Sequence, residues 1–314
     1  MMPKSKVAII MPVYNEADTI ENTINEIENI IIGKMGFIDL WVFEDGSTDG
    51  TKEILRKLEN EVPNLQVRME EERKGYPRAM KEAFLAIRPE EYEYVMTIDS
   101  DGQYDPYDFF QLWEVMNSES PDIVMGKRAW RAEPFWRRFL SWGARALEGF
   151  MFPLPCEDVT SVMRLMRVET ARDIAREMKY SEYNFWLEFT ARMALKGYEV
   201  IELPVAYRER EGGSRVYSIK KMPKILISEF KALRDVKNEW KNKGEAIENA
   251  HNIRATDETR LTKRRGEGDP IVMAKRPVDW VVVCDDGSVD LTGEIAGRLF
   301  GVAVLLYYRL LGWL

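Results

Sequence analysis

Tyr94-Val95-Met96-Thr97-Ile98-Asp99-Ser100-Asp101-Gly102-Gln103 is an apolar run that ends on two carboxylates and a glycine. Thr97 aside, the run reads as a buried strand, and the strand stops where Asp99 begins. Two acids at a strand's C-terminal end, opening into a Gly turn, put several oxygens within reach of one divalent ion. Hard cations such as Mg²⁺ and Mn²⁺ prefer those donors and commonly share them with a diphosphate. Asp and Gly also gather at turns for backbone reasons alone. The motif by itself is therefore open between a metal site and a capped turn.

Working outward, the same grammar repeats. Val7–Val13 is an apolar strand closed by Tyr14-Asn15-Glu16. Asp18 is the candidate N-cap of a helix from about Thr19, with Ile20, Ile24, Ile27 and Ile31 on one face. A second strand, 37–43, runs into Glu44-Asp45-Gly46-Ser47-Thr48-Asp49-Gly50-Thr51, and the next helix carries Ile54, Leu55 and Leu58 inward. A third strand is expected at 65–68, a charged loop at 70–76 and a helix at 77–87. Strands alternating with helices predict an α/β fold whose largely parallel sheet holds its ligand at the strands' C-terminal ends. Acidic groups recur at the ends of three of these strands, which a separate turn explanation for each accounts for less well. Neither a G-x-G-x-x-G after the first strand nor a G-x-x-x-x-G-K-[ST] occurs, so dinucleotide and P-loop sites are unsupported.

Composition removes several classes of function. With 314 residues, 45% hydrophobic and 31% charged, the chain has room for one large domain plus an extension, or two domains. The net charge of −8 argues against general nucleic-acid binding. Cys156 and Cys284 supply neither a disulfide framework nor a zinc cluster, which fits a reducing cytosol. The N-terminal stretch enters a strand almost at once and does not read as a signal peptide. No stretch of about 20 residues is apolar enough for a confident span. The one histidine, His251, lies in a charged stretch and reads as solvated. Chemistry here must run on carboxylates, a metal and arginines.

Six motifs, MPVYNEADTI (11–20), VFEDGSTDGT (42–51), KGYPRAM (74–80), TIDSDGQYDP (97–106), GKRAW (126–130) and DVTSVMR (158–164), stand in one order. Together, over about residues 5–220, they resemble family 2 glycosyltransferases of the GT-A fold. The resemblance is to the dolichol-phosphate mannose synthase and polyprenyl-phosphate glycosyltransferase branch. It implies that Pro12, Tyr14, Glu16, Asp45 and Lys74 hold a nucleotide sugar, together with Asp99, Ser100 and Asp101. It implies a Mg²⁺ or Mn²⁺ ion on Asp99, Asp101 and Gln103, and a catalytic set of Asp101, Asp158 and Arg128. Ser100 departs from the branch's usual Ala, Pro77 from a common Gly, and Val162-Met163 from Gly-Phe. Asp158 reads equally as an acceptor-side carboxylate and as a turn cap.

Two anionic substrates need cations between them, and arginine is the preferred phosphate clamp. A strand over 122–125 leads into Lys127-Arg128. From Lys127 to Phe152 there are six basic and two acidic residues, interleaved with Trp130, Phe135, Trp136, Phe139, Trp142, Phe150 and Phe152. This stretch reads either as interfacial or as a helix packing its rings into the core. A helix over 184–193 and a strand over 197–205 follow. By resemblance, Arg208, Arg210, Ser214 and Arg215 form a phosphate-gripping loop, with Arg208 and Arg210 not separable by spacing; the basic cluster adds Arg128, Arg137 and Arg138 to the expected acceptor grip. Residues 221–243 read as an amphipathic basic helix, membrane-facing or simply solvated. A charged linker over 244–277 has a composition that fits disorder. Residues 278–314 repeat the pattern of 38–55, with Asp286-Gly287-Ser288 opposite Asp45-Gly46-Ser47, and add a short apolar helix.

The resemblance as a whole implies inverting transfer of mannose or glucose, from GDP-mannose or UDP-glucose, to polyprenyl or dolichyl phosphate. The enzyme would be peripheral, on the cytoplasmic face of a membrane. A glycosyltransferase with a soluble acceptor, or a non-catalytic membrane-associated scaffold of the same fold, are the alternatives.

Overall fold

The computed structural model describes residues 6–128, 143, 145–146, 148–208 and 224–244. Expectations that fall on Arg137, Arg138, Trp136, Phe139, Arg210, Ser214, Arg215, His251 and the repeat at 279–295 lie outside the described residues. The chain divides into two units, Met1–Val236 and Lys237–Leu314. The first carries the sheet; the described part of the second, 237–244, is helical.

Seven strands form one sheet in the order β3-β2-β1-β4-β6-β5-β7. They are β1 (Val7–Val13), β2 (Ile38–Glu44), β3 (Leu65–Met69), β4 (Tyr94–Thr97), β5 (Ile123–Arg128), β6 (Arg164–Arg167) and β7 (Val200–Val205). β6 alone runs antiparallel, between β4 and β5, and the remaining pairs are parallel. Every residue of β1 is buried, as a central strand covered on both faces requires. Pro12 is tolerated there for a local reason. Ile10 gives its carbonyl to β4, accepting from Ile98 N, while Val13 O accepts from Asp45 N on the β2 side. Pro12 lies on the β4 side, past the last pair of that ladder, Ile10 with Thr97, so no sheet bond is lost.

Among the described residues, the helices of eight residues or more between the strands are α1 (Ile20–Ile27), α2 (Thr51–Glu61), α3 (Tyr76–Ala86), α4 (Asp108–Glu119), α5 (Val168–Glu177) and α6 (Phe185–Lys196). α1 continues through a π-helical turn, Glu28–Ile32, which lets Ile31 and Ile32 stay on the core side. Its N-cap is Thr19, one residue after the expected Asp18. Pro77 stands in the first turn of α3, where its fixed φ suits a helix start. That position explains the departure from Gly. Residues 126–128 belong to β5 itself, so Lys127 and Arg128 end a strand and do not open a loop.

A further helix, α7, covers 224–244. Ile225, Glu229, Ala232, Leu233 and Val236 are buried, and Leu233 and Val236 belong to the core of the first unit. Of the expected stripe, Ile225 and Leu233 are buried, Leu226 and Phe230 half-buried and Ile227 exposed, so part of the apolar side packs within the protein. The outward face keeps Lys224, Ile227, Lys231 and Arg234 exposed.

β1 leads to β2 and β3 on one side, while β4 lies on the other. The strand order therefore reverses between β1 and β4, and a crevice opens beyond their carboxyl ends.

Candidate active site

Three turns meet at that edge. The first, after β1, is stitched to the second, after β2. Asn15, at φ +54°, donates its N–H to Ser47 Oγ (2.8 Å) and accepts from Thr48 N on its Oδ1 (2.8 Å). Glu16 N donates to Thr51 Oγ1 (3.0 Å), and Ala17 N to Asp49 Oδ2 (3.3 Å). The buried Glu44 accepts from Ser47 N. These bonds fix Tyr14 and Glu16 relative to Asp45 across a span of about 30 residues.

Asp45 is 5% exposed, and both its oxygens are engaged. Oδ1 accepts from Lys74 N (2.6 Å) and Oδ2 from Gly75 N (2.9 Å). Asp45 thus holds the loop before α3 against the sheet edge. Lys74 turns its ammonium to Glu70 (2.7 Å) and Glu82 (2.5 Å). Phe43, Asp45, Arg68, Glu70, Lys74 and Glu82 line a cleft open to solvent here. Arg73, which the sequence reading passed over, lays its guanidinium over the Tyr14 ring at 3.8 Å.

The third turn follows β4. Ser100 is buried, and its carbonyl accepts from Thr19 Oγ1 (3.3 Å) and Thr23 Oγ1 (3.2 Å) on α1. Asp99 and Asp101 on either side stay half-buried at the crevice. Asp101 Oδ1 accepts from Gln103 N (3.2 Å), and Gly102 takes φ +70° to close the turn. The Gln103 side chain is already engaged. Its Nε2 donates to Arg208 O (3.1 Å), and its Oε1 accepts from Tyr207 OH (3.0 Å). A carbonyl oxygen has two lone pairs, so Oε1 retains one for a further partner.

The acceptor-side candidates sit on the other flank of this turn. Arg128 donates Nε (2.8 Å) and Nη2 (2.7 Å) to the two oxygens of Asp158, and Nη2 also to Thr160 Oγ1 (2.7 Å). The two side chains are only 10% and 4% exposed. Burial opposes the Arg128 charge, but the Asp158 hydrogen bond and the nearby Tyr104 and Asp158 outweigh it and raise its pKa well above the ordinary value. The Arg128 guanidinium also lies 5.3 Å from the Tyr207 ring. Arg208 pairs with Glu26 (2.8 Å) and Asp105 (3.0 Å) and is half exposed.

Four further residues tie these parts together. Tyr104 and Tyr207 form an isolated antiparallel bridge, and Tyr104 OH accepts from Val162 N (3.1 Å). Burial, together with Tyr104 and Asp99, pushes the Tyr207 phenol up, so it remains a neutral donor to Gln103. Glu202 on β7 accepts from Glu157 N and Asp158 N, which seats the Asp158 loop. Arg164, fully buried, donates to Ser161 O and Val159 O of the same loop. The first three were not legible beforehand, because their partners lie far off in the chain; Arg164 bonds within its own motif, and what no local signal gave was its burial. Burial pushes the Cys156 thiol up to about 12, which leaves no thiolate at neutral pH.

Residues 8–175 match the model of the family Glycosyl transferase family 2. The chain is a family 2 glycosyltransferase. This glycosyltransferase is 29% identical over 215 residues to the dolichyl-phosphate hexose transferase of Haloferax volcanii, spanning 67% of the chain and 86% of that protein. It is 27% identical over 217 residues to the undecaprenyl-phosphate mannosyltransferase of Micrococcus luteus, spanning 66% and 86%. These relatives match the branch that the six motifs resemble. A solved glucosyl-3-phosphoglycerate synthase from Mycobacterium tuberculosis, in complex with Mn²⁺, UDP-glucose and phosphoglyceric acid, shares its fold. The TM-score is 0.53 at 18% identity, covering 73% of this chain and 80% of that one. The expected α/β GT-A architecture and the enzyme class are thereby borne out.

The donor set of the glycosyltransferase also fits a shared metal. Among the described residues no group of three or more His, Cys, Asp or Glu side chains is placed to hold an ion by itself. Two half-buried carboxylates and an amide oxygen at one turn are hard donors, incomplete without substrate oxygens. That is the usual arrangement for Mg²⁺ beside a diphosphate.

Proposed function

We propose that this glycosyltransferase moves a hexosyl group, mannose or glucose, from a nucleoside diphosphate to a polyprenyl or dolichyl phosphate. The observation that carries the reading is the placement of two chemistries on either flank of the Asp99–Gln103 turn. The Tyr14–Glu16 and Asp45–Gly75 pair of turns lies on one side, and the Arg128–Asp158 pair on the other. Relatives that act on lipid phosphates by name support the acceptor.

On this reading the nucleotide lies along Pro12, Tyr14, Glu16, Asp45 and Lys74, with its diphosphate at Asp99, Ser100 and Asp101. Asp99 and Asp101, with Gln103 Oε1, would hold Mg²⁺ or Mn²⁺. Bound there, the ion supplies positive charge that stabilises the leaving diphosphate. Arg128 keeps Nη1 for the incoming phosphate, since its Nε and Nη2 bind Asp158 and Thr160. Asp158 orients that guanidinium. A phosphate oxygen attacks the anomeric carbon, the carbon–oxygen bond to the donor's β-phosphate breaks, and the diphosphate leaves with the electron pair. One displacement inverts the anomeric centre. The lipid phosphate is already anionic, so no general base is needed, which suits a sequence whose one histidine is His251. Arg137, Arg138, Arg208, Arg210, Ser214 and Arg215 remain part of the proposed acceptor grip. The basic outer face of α7 favours a peripheral seat on the anionic cytoplasmic leaflet.

The test is incubation with radiolabelled GDP-mannose or UDP-glucose, short-chain polyprenyl phosphate and Mn²⁺. An organic-extractable labelled product is expected, and none from Asp101→Ala, which also loses its Mn²⁺-dependent nucleotide binding in calorimetry. Label that appears only in water-soluble product would replace the lipid acceptor by a soluble one. Wild-type protein that binds no nucleotide would make it a scaffold.

A further inference from the structure

We propose that Tyr207 is a positioning residue shared by the two flanks of the site: its hydroxyl aims the Gln103 amide, and its ring steadies the Arg128 guanidinium. This rests on the metal and acceptor assigned above. The phenol donates to Gln103 Oε1 at 3.0 Å. The guanidinium of Arg128 lies 5.3 Å from the centroid of the same ring. One side chain therefore touches a candidate metal ligand and a candidate phosphate ligand at once.

The Gln103 amide has one orientation that satisfies both its ends. Nε2 donates to Arg208 O (3.1 Å), and a half-turn of the amide would set its oxygen against that carbonyl. Arg208 N donates back to Gln103 O (2.7 Å), which joins the two segments on the main chain. The Tyr207 hydroxyl takes one lone pair of Oε1 and aims the other. Partners of this kind orient the groups that ligate an ion. The ring is as firmly placed as the hydroxyl. It meets the buried Tyr104 ring edge-on, with centroids 5.1 Å apart, and the two residues pair in an antiparallel bridge. Arg128 is only 10% exposed, a setting in which a cation near a ring is held more strongly than at the surface. Asp158 binds that guanidinium through Nε and Nη2, and the ring adds a second constraint. Hydroxyl and ring form one rigid group, so a single side chain sets the placement of both flanks.

Calorimetry on the full chain tests the two contacts separately, in wild type, Tyr207→Phe and Tyr207→Met. Mn²⁺ is titrated with GDP or UDP present, and short-chain polyprenyl phosphate is titrated without metal or nucleotide. Tyr207→Phe keeps the ring and is expected to weaken Mn²⁺ by about tenfold while changing polyprenyl phosphate by less than about twofold. Tyr207→Met fills the space without a ring and is expected to weaken polyprenyl phosphate as well, by about threefold. In a Gln103→Ala background, Tyr207→Phe should cost nothing further, because the hydroxyl acts through that amide. Additive losses would overturn the proposal. So would equal losses of both ligands in Tyr207→Phe, which mark a general loosening. Unchanged Mn²⁺ affinity in Tyr207→Phe, or unchanged polyprenyl phosphate affinity in a folded Tyr207→Met, would equally overturn it. Thermal melting shows whether each variant folds; Tyr207→Phe, which keeps the packing on Tyr104, decides alone if Tyr207→Met does not. Wild-type protein whose nucleotide binding ignores Mn²⁺ would overturn the metal assignment, and this proposal with it. Wild type that binds nucleotide with Mn²⁺ but no polyprenyl phosphate would overturn the acceptor, and with it the part given to the ring.

Discussion

At the scale of single residues, the site depends on charges that are paired before any substrate arrives. Arg128 and Asp158 satisfy each other at the end of β5, nearly sealed from water. Removing one partner of such a pair strands the other, at a cost of about 3–5 kcal/mol. Arg128→Ala should therefore lower unfolding stability by that order in urea denaturation, as well as activity. A loss under about 1 kcal/mol would show that the pair is more solvated than its burial implies. The acids themselves were legible in the sequence. Asp45, Asp99 and Asp101 each sit in a contiguous strand–turn motif, so local pattern sufficed. Their engagement was not legible. Asp45 is satisfied by backbone groups 29 and 30 residues away, and the Gln103 amide by residues more than 100 away. Nothing local marks either.

At the scale of elements, the turn at Gly46 is the tightest fit in the site. Its positive φ suits glycine, and the loop at 72–73 fills the space a side chain would need. Gly46→Ala should push that loop off Asp45, costing more than about 1 kcal/mol in denaturation and weakening nucleotide binding in the same preparation. Retained nucleotide affinity would show that the Asp45 tether is dispensable. Element boundaries were read unevenly, for identifiable reasons. β1 is continuously apolar and was read to the residue. α5 was not marked: half of its ten residues are charged, and Val168, Ala171, Ile174 and Ala175 make a thin stripe. β6 is four residues long with arginine at both ends, and Arg164 is fully buried where a local reading would expose it. The stripe on α7 was visible, but periodicity cannot say whether a membrane or the protein covers it.

At the scale of the whole molecule, pH dependence follows from a buried acid outside the crevice. Glu148 is fully buried, and among the described residues neither oxygen has a hydrogen-bond partner. Burial raises its pKa well above the ordinary 4.5, Arg164 opposing this and Glu229 adding to it. The sign is that of a raised folded-state pKa. Its contribution to stability is fully present below the unfolded value and is lost as pH rises through the folded one. Glu148→Gln should match wild type in acid and exceed it at neutral pH and above, by thermal melts across a pH series. A constant difference at all pH values would place the group in a solvated setting. The proposed membrane association is a second whole-molecule property. Replacing Lys224, Lys231 and Arg234 by Gln should weaken binding to anionic vesicles by roughly 100-fold at low salt, about 1 kcal/mol per charge. Co-sedimentation that does not change would take α7 out of the membrane contact.

The sequence by itself determined the alternation of strands and helices, the acidic turns at their carboxyl ends and the family. Those are properties of short contiguous segments, where period, turn chemistry and motif spacing act within about ten residues. The tertiary structure decided the rest. It placed the reversal of strand order between β1 and β4, closed Asp158 on Arg128, bridged Tyr104 to Tyr207 and set Arg73 on Tyr14. It also buried part of the α7 stripe. Each is a pairing between groups distant in the chain, and a satisfied hydrogen bond or a covered apolar face exists only once the sheet has brought both partners to the same edge.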